Sequence, residues 1–280
     1  MKATALFLLL SLLPLLVSAQ SGEDAGNAGR LLFAPLIAHH VEPRVGFSRL
    51  VDEERLRLDI GNSIDLLTYK DMLGADRFAV GADFFTWTSL RQEKDFHFPV
   101  DAVDYLFGIN ATWKKVIDAS STLSARLRLS HISAHLVDGS FDPTTDSWRH
   151  GVPSRVYSRE FFDLVVAWEY DTWLRLYGGG QYVYHIDPAD LGKLGLQGGF
   201  ETVWRDAAMS GTHLYAAYDL RMLDNGETRA AHGFQVGVKF GPWRGSGLNL
   251  FVALYDGPSQ HGEYHDRRWS YWGPGMNIDF

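Results

Sequence analysis

The amino-acid sequence predicts an all-β protein, an antiparallel transmembrane β-barrel of about 12 strands. Three observations lead there. Apolar and polar residues alternate with a period of two along most of the chain, as on strands with one face in apolar surroundings and the other in a polar interior. Several of these runs reach ten or more residues, long enough to cross a bilayer as tilted strands. The connections also alternate in length, the habit of barrels with short turns at one rim and longer loops at the other.

The elements follow in order. A strand opens at Arg44–Leu50. Leu56, Leu58, Ile60 and Ile64 then alternate with Arg55, Arg57, Asp59 and Asp65. Phe78, Val80, Ala82 and Phe84 alternate with Arg77, Gly81 and Asp83. Tyr105, Phe107, Ile109, Ala111 and Trp113 alternate with Asp104, Gly108, Asn110 and Thr112. Leu123, Ala125, Leu127 and Leu129 alternate with Ser124, Arg126 and Arg128. Phe162, Leu164, Val166 and Trp168 alternate with Asp163 and Glu169. Leu174, Leu176, Tyr182 and Tyr184 alternate with Arg175, Gln181 and His185. Later runs centre on Phe200, Ala216, Val236, Val252 and Ile278. Short links fall at Asp171-Thr172, Asp206–Gly211 and Gly241–Gly247. Longer ones fall at Arg91–Asp101, Val137–Arg155, Asp187–Lys193 and Asp256–Arg268. Gly178-Gly179-Gly180 lies within a strand and precedes no helix, so it reads as room for curvature or close packing and not as a phosphate loop.

The N-terminus carries an export signal. Lys2 precedes an apolar run, Ala3 to Val17, and Val17-Ser18-Ala19 supplies small residues at a cleavage position. Residues 1–19 are therefore read as a signal peptide and 20–280 as the barrel. The chain has no cysteine, which excludes disulfides, thiolate metal sites and a lipidated N-terminal cysteine. Aromatic residues make up 14% of the chain, and its nine Trp and twelve Tyr suit interfacial girdles. The net charge of −8, with both signs mixed along the chain and no basic tract, argues against nucleic acid as a partner.

Gly275-Met276-Asn277-Ile278-Asp279-Phe280 resembles the closing-strand signal of bacterial outer-membrane β-barrels, with its aromatic at the last position. The resemblance implies a cell outer-membrane location. It also implies periplasmic chaperones and the barrel-insertion machinery as partners, engaged through Phe280.

On a membrane barrel the polar parity faces the lumen. That parity includes Arg57, Asp59, Asp83, Arg126, Arg128, Arg159, Asp163, Arg175, Glu201, Asp219, Arg221 and Lys239. The signs are balanced, so the expected interior is filled by paired charges and water. The alternative is a narrow path for small solutes, for which one dominant sign would be the stronger mark.

One stretch carries candidate chemistry. His131, Ser133 and His135 alternate, and they continue the lipid-facing parity of Leu123, Ala125, Leu127 and Leu129. They fall where the strand approaches the longest loop, at the level of lipid headgroups. Residues two apart on a strand have neighbouring side chains on one face, and His can activate a Ser hydroxyl. The next strand carries Ser158, Glu160, Phe162 and Leu164 on its outward parity. Hairpin pairing brings Glu160 level with His131, within two residues, as a group that orients the imidazole. A β-bulge near Ser130 would instead turn the cluster into the lumen.

His131-x-Ser133 resembles the His-x-Ser pair of two families of outer-membrane hydrolases, the phospholipases A and the lipid A deacylases, with Ala134 in place of the Asn that follows their Ser. Both families are β-barrels that place the pair on the lipid-facing side of a strand near the rim. The resemblance implies a lipid ester hydrolase acting on outer-membrane lipid, with Ser133 as nucleophile, His131 or His135 as base and Glu160 as orienter. The longer string Ser133-x-His135-Leu136-x-Asp138, with Tyr157-Ser158-Arg159-Glu160 after it, is similar to the outer-membrane family described as domain of unknown function 1207. That likeness implies no activity and adds Asp138 to the candidate group. No cofactor is called for.

Two further groups are weaker. His39-His40 read as a rim position and not a metal site. His261, Glu263, His265 and Asp266 share one loop, but they lack the rigid spacing of a metal site.

Overall fold

The computed structural model describes residues 31–151, 153–224 and 228–280; the expected signal peptide, residues 1–19, lies outside them. The strands are β1 (Val45–Leu50), β2 (Arg55–Lys70), β3 (Arg77–Arg91), β4 (Val100–Val116) and β5 (Ser121–Leu136). Two short strands, β6 (Phe141–Asp142) and β7 (Ser147–Trp148), form a small hairpin in the connection that follows. Then come β8 (Tyr157–Tyr170), β9 (Leu174–Asp187), β10 (Leu194–Trp204), β11 (Thr212–Asp224), β12 (Thr228–Phe240), β13 (Gly247–Pro258) and β14 (Arg268–Asp279). Apart from β6 and β7, each strand pairs antiparallel with its neighbours. β1 pairs with β14, which closes a barrel of twelve strands. The count agrees with the period-two reading.

One rim carries the connections at 71–76, 117–120, 171–173, 205–211 and 241–246. The other carries those at 51–54, 92–99, 137–156, 188–193 and 259–267. The two are called here the turn rim and the loop rim. The outward face is apolar, with Ile60, Ile64, Ile109, Leu127, Leu164, Leu196 and Leu250 all exposed. Trp168, Trp173, Trp204 and Phe240 stand outward near the turn rim. So continuous an exposed apolar band, edged by aromatics, is the surface a bilayer covers.

Inward parity is polar. Arg57, Asp59, Asp83, Asn110, Arg126, Arg128, Arg175, Glu201, Asp219, Arg221 and Lys239 are all buried. Arg57 pairs with Asp59 at 2.7 Å, and Arg175 with Glu201 at 3.3 Å. Gly199 makes space for such contacts: a Cβ there would come within 2.3 Å of the Tyr177 hydroxyl, which donates to Asp219 at 2.8 Å.

The segment 31–44, just before β1, occupies the lumen. Phe33, Leu36 and Val41 are buried there. Phe33 lies beneath two guanidinium groups, Arg126 at 4.7 Å and Arg175 at 4.4 Å from its ring centre. The segment's backbone is tied to the wall, Leu32 N–H donating to Asp65 at 2.7 Å and Ile37 N–H to Glu201 at 2.8 Å. His39 and His40 are therefore not at a rim. Their rings stack inside the barrel, with centres 5.4 Å apart. The chain turns here instead of continuing as a strand, which carries both rings inward.

Glu42 is the centre of this plug. Its carboxylate accepts from Arg126 Nη1 at 3.0 Å and from both terminal nitrogens of Arg128 at 3.0 and 3.1 Å. Arg128 also donates Nε to Asp83 at 3.1 Å, and Asp83 accepts from Asn110 at 2.9 Å. Forked guanidinium-carboxylate pairs of this kind are the strong form of the charge-assisted hydrogen bond. Removing one partner of a buried ion pair leaves the other charge uncompensated. Glu42→Ala is thus expected to destabilise the barrel by about 3–5 kcal/mol. Denaturant unfolding of the detergent-solubilised protein checks this; a change within about 0.5 kcal/mol, the scale of an ordinary surface substitution, would mean that the plug does not support the wall.

Candidate functional site

β5 pairs with β4 and with β8 without any shift of register. The period of two therefore runs unbroken along it. Ser124, Arg126, Arg128, Ser130, Ile132 and Ala134 are buried toward the lumen, while His131, Ser133 and His135 share the outward face with Leu127. No bulge occurs at Ser130, and the cluster faces outward, at the loop-rim end of the strand.

Two rows of side chains cross four strands here. In the first, Phe107 of β4 is level with His131 of β5, then Glu160 of β8, then His185 of β9. In the second, Tyr105 is level with Ser133, then Ser158, then Asp187. Glu160 lies directly opposite His131, within the interval that hairpin pairing predicts.

The Glu160 carboxylate binds two imidazoles. His131 Nδ1 lies 2.7 Å from Oε1, and His185 Nδ1 lies 2.5 Å from Oε2. Ser158 adds a long 3.5 Å contact to Oε1. A carboxylate only accepts, so each Nδ1 is the donor. In the neutral imidazole this leaves Nε2 of His131 with its lone pair free. Ser133 Oγ takes part in no hydrogen bond among the described residues. His135 stands one step further toward the loop rim, its ring centre 5.9 Å from that of Tyr105. Asp138 does not join the group. It sits in the 3-10 turn Asp138–Ser140, where its carboxylate accepts from Gly139 N–H at 3.0 Å.

His185 corrects the sequence reading, which put it on the lumen parity with Arg175 and Gln181. The pairing of β8 with β9 shifts between Glu160 and Phe161: Glu160 faces His185, while Phe161 faces Val183. Tyr184 is the additional residue, and Tyr184 and His185 are both exposed. A bulge turns the following side chain to the other face, and bulges concentrate beside active sites. Nothing local in Tyr182–Asp187 marks the irregularity. It becomes visible only once β8 is laid beside β9.

The residues of the 259–267 loop have structural partners. His261 Nδ1 contacts Asp104 at 2.6 Å, and Gly262 N–H donates to the same carboxylate at 2.8 Å. Glu263 accepts from Leu136 N–H at 3.3 Å and Arg155 N–H at 3.1 Å. Burial pushes its carboxyl above the usual carboxylate range, against the pull of those two donors. Asp266 pairs with Arg155 at 2.9 Å. These groups tie the loop down over the barrel mouth, and among the described residues no set of three or more gathers round a metal position.

A closed antiparallel barrel with an apolar outer wall and a polar interior defines the class of this molecule. Within that class, the chain belongs to the family described as "Protein of unknown function (DUF1207)", whose pattern matches residues 103–280. No curated protein matches. Among solved structures, the outer membrane phospholipase A from Escherichia coli is similar at 16% identity and a TM-score of 0.49, over 80% of each chain. The Salmonella typhi outer membrane phospholipase, solved as a dimer with bound calcium, is similar at 16% identity and a TM-score of 0.48, over 80% of this chain and 78% of that one. The β domain of the Bordetella autotransporter BrkA follows at 13% identity and a TM-score of 0.40, over 84% of this chain and 97% of that one.

The outward placement of Ser133 has a direct test. A nitroxide attached to Ser133→Cys in this cysteine-free chain, reconstituted in bilayers, is expected to relax more with oxygen than with a water-soluble nickel complex. The reverse ranking would place residue 133 in the lumen.

Proposed function

We propose that this protein is an outer-membrane barrel whose outer wall hydrolyses an acyl ester of membrane lipid, and whose lumen is filled and does not conduct. One observation carries the reading. His131 is fixed to Glu160 through Nδ1, while Ser133 stands two residues along the same outward face of β5. Nucleophile, base and orienting carboxylate thus lie on one surface, the surface that an acyl ester in the bilayer reaches. The apolar belt and its aromatics support the outer-membrane location. The plug, centred on Glu42, argues for the wall and not the lumen as the working surface.

In this mechanism Ser133 Oγ attacks the ester carbonyl carbon while its proton passes to Nε2 of His131. Glu160, bonded to Nδ1, favours the tautomer that leaves Nε2 basic and stabilises the imidazolium that forms. The tetrahedral intermediate collapses, the C–O bond breaks, and Nε2–H protonates the leaving alkoxide. Water then attacks the acyl-Ser133 ester and gives a proton to Nε2; the bond from the acyl carbon to Ser133 Oγ breaks, Nε2–H returns that proton to Oγ, and a free fatty acid leaves. His185 holds the second oxygen of Glu160, so the carboxylate keeps its orientation as the charge on His131 changes.

The test uses purified protein in mixed micelles with phospholipid and with lipid A esters. Fatty acid release is expected, and Ser133→Ala and His131→Ala are each expected to lower it by about 10²–10⁴-fold or more. Glu160→Gln retains the shape but not the charge and is expected to cost less than either. No release by the wild-type protein, or release unchanged in Ser133→Ala, would overturn the reading.

A further inference from the structure

We propose that the loop-rim mouth of the lumen holds a binding site for a small oxyanion, such as phosphate or a carboxylate, between Arg159 and Arg221. This rests on residues of the inner wall and is independent of the hydrolase reading. Arg159 of β8 and Arg221 of β11 line one cavity together with His40 of the plug, beneath the 259–267 loop. Of the other arginines inside the barrel, Arg57, Arg126, Arg128 and Arg175 each reach a carboxylate within 4 Å, and Arg44 donates to the backbone carbonyls of Ile37, His39 and Glu42 in the plug. Arg221 is only 6% exposed, yet among the described residues it forms no ion pair. Its one hydrogen bond runs from Nη2 to Gln181 Oε1 at 2.9 Å. Arg159 has no ion pair or hydrogen bond among the described residues, and its Nε is buried without a partner. Its guanidinium carbon lies 5.4 Å from the Phe161 ring centre, a contact that leaves the N–H edge unused.

The nearby acids do not fill these positions. Asp104 lines the same cavity, but its two oxygens are taken by His261 and Gly262. Asp219 accepts from Tyr177 and from Gln197. Asp163 lies toward the turn rim from Arg159, amid Arg126, Arg128 and Arg221, and bonds none of them. These carboxylates balance the formal charge at longer range while leaving the guanidinium N–H groups vacant. Arg159 and Arg221 line the same cavity, so two like charges face one buried space. Two cations held together in a buried space are stabilised by an anion that accepts from both, and the guanidinium fork matches the oxygens of phosphate or carboxylate. The His40 ring forms no hydrogen bond among the described residues and adds a third donor. Because the site faces inward, the occupant is a free, water-soluble anion and not a lipid headgroup.

The test is isothermal titration of the folded full chain, in uncharged detergent and phosphate-free buffer, with inorganic phosphate. Saturable binding is expected, weakened at least about 10-fold in Arg221→Gln and in Arg159→Gln, the scale of one lost charge-assisted hydrogen bond. Arg268→Gln, at an exposed pair with Asp256, is expected to leave binding unchanged. Heat-dependent gel migration reports whether each variant is folded. If Arg221→Gln does not fold, Arg159→Gln carries the comparison. Absence of saturable binding, or binding undiminished in the folded arginine variants, would overturn the proposal.

Discussion

The closure of the sheet between β1 and β14 is the constraint on which the remaining structure depends. In hydrocarbon no water satisfies an open strand edge, so a spanning sheet must bond its last strand to its first. Here that seam is short. Only Val45–Ser48 pair with Ile278–Gly275, before β1 passes on to β2. Once closed, the sheet separates two solvents. Every side chain then belongs to lipid or to lumen according to its parity, and both the polar network inside and the His/Ser/Glu group outside inherit their surroundings from that division.

Inside, the division creates an electrostatic problem that the wall does not solve alone. Arg126 and Arg128 stand two residues apart on one face of β5, and Asp83 reaches only Arg128. Buried charges of this kind persist only when paired. The second carboxylate comes from the plug, through Glu42. The same segment places Phe33 against Arg126 and Arg175, so it contributes apolar packing and charge together. Segment 31–44 is therefore part of the barrel's interior, and the wall's arginines are the reason it is held there. Toward the loop rim the pattern changes, and Arg159 and Arg221 lack such partners.

Much of this was legible in the sequence because a strand has one simple period. Leu127, Leu129, His131, Ser133 and His135 could be assigned to one face by counting, and Glu160 followed from pairing two strands joined by one connection. What could not be read has a common cause. The plug has no period, so nothing in Phe33 or Glu42 indicates that each meets residues more than 80 positions away. The pairing of His261 with Asp104 spans 157 positions, so the loop's composition alone does not show what its side chains bind. His185 was misassigned because one inserted residue reverses parity, and parity was the only rule available.

That insertion has a physical consequence for the outer cluster. With strict alternation, β9 would direct His185 inward and Glu160 would have one imidazole partner. A carboxylate on the lipid side of a barrel is costly, the more so with one oxygen unpaired. The bulge at Tyr184 supplies the second donor, so both oxygens of Glu160 are bonded and neither faces hydrocarbon alone. The rotation of the carboxylate is restricted by the same two bonds, and the ring of His131 is held with it. Tyr105 and Phe107 lie level with Ser133 and His131, so the polar row is bordered by aromatics suited to the interface. The irregularity in β9 is therefore what pairs both oxygens of Glu160 at the loop-rim ends of β5, β8 and β9, and what keeps that charge compensated on the outer wall.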